Sequence, residues 1–210
     1  MHINLFRYRE SLSSAVQLPR LEYSYADMSD IMSEEMLDIH YSKLHQNYIN
    51  QYNKIQAQKK MTQLVYTPQT EEEILLLFFL GGHLNHSLFW QSFHPSSSKH
   101  TPSKRLSTLL SNSFSEGLLN SILNVVTSNK IRGSGWIWLA YNENTELLYL
   151  DITMNQDMLS VPVLLNIDMW EHAYFIQYKV DKIDYINKLY SIINWENASN
   201  RLDKILDGDE

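Results

Sequence analysis

The stretch Ile167-Asp168-Met169-Trp170-Glu171-His172-Ala173-Tyr174 sets an acid and a histidine four residues apart, with a Trp and a second acid between them. If the backbone turns there, the carboxylate of Asp168 and the imidazole of His172 can share one metal ion. Two ligands do not complete a site. The alternative is a helix start in which Asp168 or Glu171 caps and His172 merely packs. The chain has no cysteine, which excludes disulfides, thiolate metal sites and a Cys nucleophile. Any metal must therefore be held by histidine and carboxylate, and eight histidines make that feasible.

The elements that could bring further ligands are legible along the chain. Residues 1–17 carry Arg7, Arg9, several Ser and a single acid, Glu10. They read either as a docking arm or as a short mitochondrial targeting segment. Pro19 makes Leu18–Tyr25 an extended lead-in. Ser29 or Ser33 can then cap a long helix running to about Gln58, with Glu34 and Glu35 at its positive end. Met36, Ile39, His40, Leu44, Tyr48, Tyr52 and Ile55 recur on one face of it. Thr70-Glu71-Glu72-Glu73 is a capping box that opens a second helix, Glu71 to about Phe93, carrying His83, His86 and Trp90. Gly81 and Gly82 weaken that helix, so they are expected to admit the close approach of another group. Taken alone, the pair His83/His86 says little.

His94–Ser103, rich in Ser and Pro, breaks the pattern and marks a boundary between a helical-hairpin domain (18–95) and a second domain (103–210). Helices are predicted over Ser103–Ser113 and Ser115–Asn129. Strands follow over Gly133–Tyr141, Leu147–Thr153 and Val163–Asp168, and closing helices over Asp184–Ile193 and Glu196–Ile205. The class is α+β: an antiparallel helical hairpin, then a three-stranded antiparallel sheet surrounded by helices.

Composition narrows the function. With 44% hydrophobic residues and five Trp, 210 residues can bury a sizeable core. No apolar run approaches the ~20 residues that cross a bilayer, and the longest, Ile74–Leu80, reads as a buried helix segment. A net charge of −7 argues against nucleic acid or anionic membrane as a partner. An anionic substrate would need a local positive funnel. There is no internal repeat, phosphate-binding glycine loop or nucleophile elbow.

Three blocks then match one family. Asp38-Ile39-His40-Tyr41-Ser42-Lys43-Leu44-His45-Gln46-Asn47-Tyr48 lies on the first helix, and Gly81-Gly82-His83-Leu84-Asn85-His86-Ser87-Leu88-Phe89-Trp90 on the second. The third is the opening stretch. With Gly133-Ser134-Gly135-Trp136 and Asn155-Gln156-Asp157 between them, the chain resembles the iron/manganese superoxide dismutases from about Leu18 to Arg201. The resemblance implies metal ligands at His40, His86, Asp168 and His172, and dismutation of superoxide to O2 and H2O2 by one-electron cycling of manganese or iron. It implies that Gln156 hydrogen-bonds metal-bound solvent, that Tyr48 links Gln156 to bulk water, and that Trp90, Trp136, Trp138 and Trp170 form an apolar shell. Glu171 matches the acid that reaches His172 of a second subunit, so a homodimer is implied, or a tetramer if the hairpin face over 52–66 docks a second dimer. Lys43 and Lys182 either draw superoxide in or are ordinary solvated lysines.

Gln156 together with Gly82, four residues before His86, is the manganese-type pattern. Use of iron stays open because the ligands are shared. Two positions depart together from the family. Leu44 stands where His is common and Phe175 where Tyr is common, so the proton relay beyond Tyr48 is expected to be altered. Losing both members leaves neither buried and unpaired. A catalytically silent relative in the mitochondrial small ribosomal subunit is the rival reading. The expected compartment is the mitochondrial matrix, with the cytoplasm as the alternative.

Overall fold

The computed structural model describes residues 15–59 and 70–208. The expected amino-terminal arm lies outside the described residues up to position 14. The hairpin face expected to dock a second dimer lies outside them from position 60.

Ser24 opens α1 (Tyr25–Met28), a short helix that the sequence pattern does not single out, by exchanging hydrogen bonds with Asp27 in a capping box. Ser33 caps α2 (Glu34–Leu37) by accepting from the Met36 N–H. The chain then continues without interruption through a π-helical segment, Asp38–His45, into α3 (Gln46–Lys59). The expected regular helix is therefore interrupted inside, and the chain is still helical at Lys59, the last described residue of this stretch. The widened turns change which residues face inward, with consequences at the site.

The capping box of Thr70 and Glu73 starts α4 (Glu71–Ser92) as expected. Its apolar run is not buried throughout: Leu76 and Leu80 are covered, but Ile74 is 55% exposed and Leu75 39%. Ser103 caps α5 (Lys104–Ser113). α6 (Leu118–Thr127) starts later than the expected Ser115 because Gly117, at φ +84°, turns the chain ahead of it.

β1 (Gly135–Asn142), β2 (Leu147–Met154) and β3 (Val163–Asp168) form an antiparallel sheet in the order β2-β1-β3. The Asn142 side chain closes the β1–β2 turn by accepting from the N–H groups of Asn144 and Thr145 at 2.9 and 3.1 Å. β1 is central and nearly all buried, and its Trp136 pairs directly with Asp168 at the end of β3. A 3-10 turn, Glu171–Ala173, leads into α7 (Phe175–Tyr178). Asp181 and Asn194 cap α8 (Lys182–Ser191) and α9 (Trp195–Asp207), so both closing helices begin earlier than expected.

The hairpin and the sheet are joined by polar contacts at buried positions as well as by packing. The Asn166 side chain on β3 donates to the Asn85 carbonyl at 2.9 Å, and its N–H donates to Ser92 Oγ at 3.2 Å. The Asn194 N–H donates to the Ser92 carbonyl at 2.8 Å. Around these bonds Phe89, Phe93, Trp136, Leu139, Tyr185 and Ile193 are at most 1% exposed. A helical hairpin followed by a three-stranded antiparallel sheet with surrounding helices is the expected α+β arrangement.

Candidate metal centre

Four side chains from four elements meet between hairpin and sheet. His40 comes from the π segment and His86 from the middle of α4; Asp168 ends β3, and His172 lies on the 3-10 turn after it. One ligand-type atom from each lies within 4.8 Å of all the others. The Nε2 atoms of His40, His172 and His86 stand 3.1, 3.2 and 3.5 Å from the same oxygen, Asp168 Oδ2. His40, His86 and Asp168 are fully buried, and the His172 side chain is 16% exposed.

The hydrogen bonds assign protons here. His86 Nδ1 lies 2.6 Å from the Gly82 carbonyl. A carbonyl can only accept, so Nδ1 carries the proton and Nε2 is a bare lone pair. That lone pair is buried without a hydrogen-bond partner and faces a carboxylate oxygen. Two electron-rich atoms held together away from water call for a cation between them. The remaining valences of Asp168 are committed: Oδ1 accepts from the Trp170 N–H at 2.8 Å, and its main-chain carbonyl accepts from Tyr185 Oη at 3.0 Å.

Burial works against the charge of Asp168, yet the pull of His172 and hydrogen bonds from His172 and His40 hold its carboxyl well below the usual range. Burial pushes His86 well down, helped by His40, and also lowers His40 against the opposing pull of Asp168. Asp168 is thus held as a carboxylate, and His40 and His86 are pushed toward neutral imidazole, the protonation state a divalent or trivalent ion requires of such ligands.

Beside it runs a second hydrogen-bond chain. Trp136 Nε1 donates to Gln156 Oε1 at 3.2 Å and Asn85 Nδ2 donates to the same oxygen at 3.3 Å, while Gln156 Nε2 donates to Tyr48 Oη at 2.9 Å. An indole can only donate, so the amide of Gln156 is locked with its nitrogen toward Tyr48. Burial pushes the Tyr48 phenol up to about 12 although the Gln156 bond pulls it down.

The two glycines of α4 make room for this chain. A Cβ on Gly82 would stand 2.3 Å from the Tyr48 ring, and one on Gly81 would stand 2.0 Å from the Gln156 carbonyl oxygen. The close approach expected of them is thus by Tyr48 at Gly82 and by the Gln156 backbone at Gly81.

The aromatic shell is mostly as expected. Trp90 meets His40 at 4.8 Å between ring centroids, Trp136 meets His86 at 5.1 Å, and Trp170 stacks on His172 at 5.5 Å. Trp138 stands one layer back, against Trp136 at 6.2 Å, with its N–H on Thr153. Glu171 points outward and is exposed, whereas its neighbour His172 turns in. Phe175 is 48% exposed and Leu44 half-buried. Lys43 lies 3.7 Å from Asp38, and the Lys182 amine lies 5.5 Å from the centre of the Tyr174 ring. Both have local partners, which weakens them as a free positive funnel.

Two histidines that carry little weight in the sequence alone join the site here. His45 is fully buried and stacks on His86 at 5.4 Å, and His83 bonds to it at 2.9 Å. A period of 3.6 selects Leu44 as the inward residue. The π segment turns His45 inward instead, and only that irregularity could have revealed it.

Two family models match along the chain. The alpha-hairpin domain of iron/manganese superoxide dismutases matches residues 15–94, and the C-terminal domain of the same family matches residues 102–201. A mitochondrial manganese superoxide dismutase of Caenorhabditis elegans is 36% identical over 191 residues, 88% of this chain and 85% of that protein. A manganese superoxide dismutase of Chlamydia muridarum is 36% identical over 198 residues, covering 90% and 96%. A mitochondrial manganese superoxide dismutase of Arabidopsis thaliana is 34% identical over 200 residues, covering 89% and 85%. With both halves of its length matched and its four metal-competent side chains gathered where the halves meet, this chain belongs to the iron/manganese superoxide dismutase family.

Proposed function

We propose that the protein is a superoxide dismutase whose resident ion is manganese, with iron as the alternative, held by His40, His86, Asp168 and His172. The observation that carries this reading is the bare, buried Nε2 of His86 facing Asp168 Oδ2 at 3.5 Å, with the Nε2 atoms of His40 and His172 closing on the same oxygen. Nitrogen and oxygen donors without thiolate suit manganese or iron, and zinc in the same place could not exchange electrons. When bound, such an ion supplies one-electron oxidation of one superoxide to O2 and one-electron reduction of a second, which with two protons becomes H2O2.

The chain's own residues set up that chemistry. Asp168 brings the negative charge, kept ionised by its hydrogen bonds. Trp90, Trp136 and Trp170 pack on the ligand rings and exclude bulk water. Gln156, with its amide direction fixed by Trp136, spends one N–H on Tyr48 and keeps the other for the solvent or anion at the centre. Tyr48 Oη accepts from Gln156, so its own proton is free to be donated; burial keeps that proton in place at neutral pH. Tyr48 and Gln156 are the groups we assign to proton delivery. The absence of a polar pair at Leu44 and Phe175 leaves delivery to solvent next to Tyr48.

Glu171, exposed beside the inward-turned His172, is assigned to a homodimer contact with His172 of a second copy. The manganese preference rests on the pairing of Gln156 with Gly82 and on the names of the relatives, all three of them manganese enzymes. None of those three is named as a ribosomal component, and nothing favours that rival. The mitochondrial matrix is the proposed compartment, following the names of the worm and plant relatives; the bacterial relative carries no such name, and the cytoplasm is the alternative.

The reading is tested by His86→Gln and Asp168→Asn purified beside the wild type. Both should lose metal and superoxide-consuming activity together while keeping their circular dichroism. A variant that keeps both metal and activity would contradict the assignment.

A further inference from the structure

A second histidine pair, His45 and His83, lies directly behind the candidate centre. Trp90 Nε1 lies 3.0 Å from His45 Nδ1, and His45 Nε2 lies 2.9 Å from His83 Nδ1. The indole can only donate, so His45 Nδ1 is an acceptor without a proton. His45 must then carry its proton on Nε2 and donate it to His83 Nδ1. His83 Nδ1 is bare in turn, since a proton there would face the His45 proton across 2.9 Å. Its other neighbour, Ser87 Oγ, lies 3.4 Å away and donates its proton to the His83 carbonyl at 2.8 Å. The three side chains form a one-way chain running Trp90 to His45 to His83, and each proton position follows from the one before.

This chain grips two ligand residues at once. The His45 ring stacks on His86 at 5.4 Å and 27°, and the Trp90 indole packs edge-on against His40 at 4.8 Å. It also links the π segment, which carries His40 and His45, to α4, which carries His83, His86 and Trp90. A proton cannot travel along it into the centre, because it ends on an indole that has no lone pair to receive one. We propose that His45 and His83 are positioning residues: a tautomer lock that fixes the rings of His86 and Trp90, and through them the geometry and metal affinity of the centre, without taking part in proton delivery. The positioning role rests on the metal-centre reading; the tautomer order stands independently of it.

The test compares His83→Gln with His83→Leu in the manganese-loaded protein. Gln offers an amide oxygen that can accept the His45 proton, whereas Leu leaves that proton buried without a partner. Residues supporting metal ligands typically change metal affinity by about 10–100-fold when lost. His83→Leu should therefore release manganese to a chelator at about tenfold lower concentration or less, with an altered manganese(II) electron paramagnetic resonance spectrum. His83→Gln should stay within about twofold of the wild type by the same scale. The pH profile of turnover should keep its shape in both, in contrast to Tyr48→Phe. If Leu and Gln behave alike, or if either changes the pH profile as Tyr48→Phe does, the positioning role is overturned. Should His83→Leu fail to fold, Trp90→Phe replaces it, since it removes the donor that sets the lock.

A wild type that binds neither manganese nor iron removes the metal-centre reading and the positioning role with it. The lock is then judged by nitrogen-15 spectra of the metal-free protein, which should show His45 protonated at Nε2 and bare at Nδ1. The reverse pattern overturns it.

Discussion

Groups that can only donate or only accept organise the candidate centre. The indole of Trp136 orients the Gln156 amide, the indole of Trp90 fixes the His45 tautomer, and the Gly82 carbonyl, which can only accept, fixes His86. None of these assignments is legible in the sequence, because they depend on which atom meets which. The candidate ligands themselves were legible: His40, His86, Asp168 and His172 are of types that can hold a metal ion, and they converge. The glycines lie between these cases. Their helix-weakening effect announces a close approach, but not that Tyr48 makes it at Gly82 and the Gln156 carbonyl at Gly81. Gly82→Ala would gain about 1 kcal/mol of helix propensity but force a methyl to 2.3 Å from the Tyr48 ring, and overpacking of that kind costs about 1–3 kcal/mol. The sum is a loss. Thermal unfolding should show Gly82→Ala less stable than wild type, and Gly81→Ala worse still, because a main-chain oxygen cannot swing aside. A stabilised Gly82→Ala would show that Tyr48 does not occupy that space.

At the scale of elements, the π segment is the departure from simple patterning that matters most. In an α-helix, residues five apart point about 140° away from each other, yet His40 and His45 are both fully buried on one side. The widened turns of Asp38–His45 bring them together, and such segments recur at functional sites. Hydrophobic periodicity read at 3.6 cannot register this, which is why Leu44 looked like the inner residue. The limits of β2 and β3, the Thr70 capping box and the β3-to-turn junction were readable because each has a local chemical signature. Deleting Lys43, which is exposed, should let the segment close into α-helical turns and rotate His40 away from His86. Helical circular dichroism should persist while the protein no longer retains metal through gel filtration. Retention of metal by the deletion variant would mean that the π geometry is incidental.

For the whole molecule, the buried histidines make stability depend on pH. Burial lowers His83 from 6.5 to about 4, so the folded state keeps it neutral while the unfolded chain takes up a proton below 6.5. Stability contributed by this group is present above that value and is lost as pH falls toward 4, at up to about 1.4 kcal/mol per pH unit. Below about 4 the contribution levels off. In the metal-free protein the thermal midpoint should fall over this window, and more steeply in wild type than in His83→Gln. Equal slopes would mean that His83 is protonated in the fold. Because the four candidate ligands come from both halves, a bound ion would add stability that grows with the logarithm of its concentration over its dissociation constant, so the centre would brace the fold as well as act on substrate.

This centre is proposed to turn over superoxide with a metal ion held by these four residues. That role is tested most directly by stopped-flow decay of superoxide on purified protein whose manganese and iron contents are measured on the same sample. Catalytic decay should scale with bound metal up to one ion per chain and vanish in the metal-free protein. Decay no faster than the uncatalysed reaction in a fully loaded sample would contradict it.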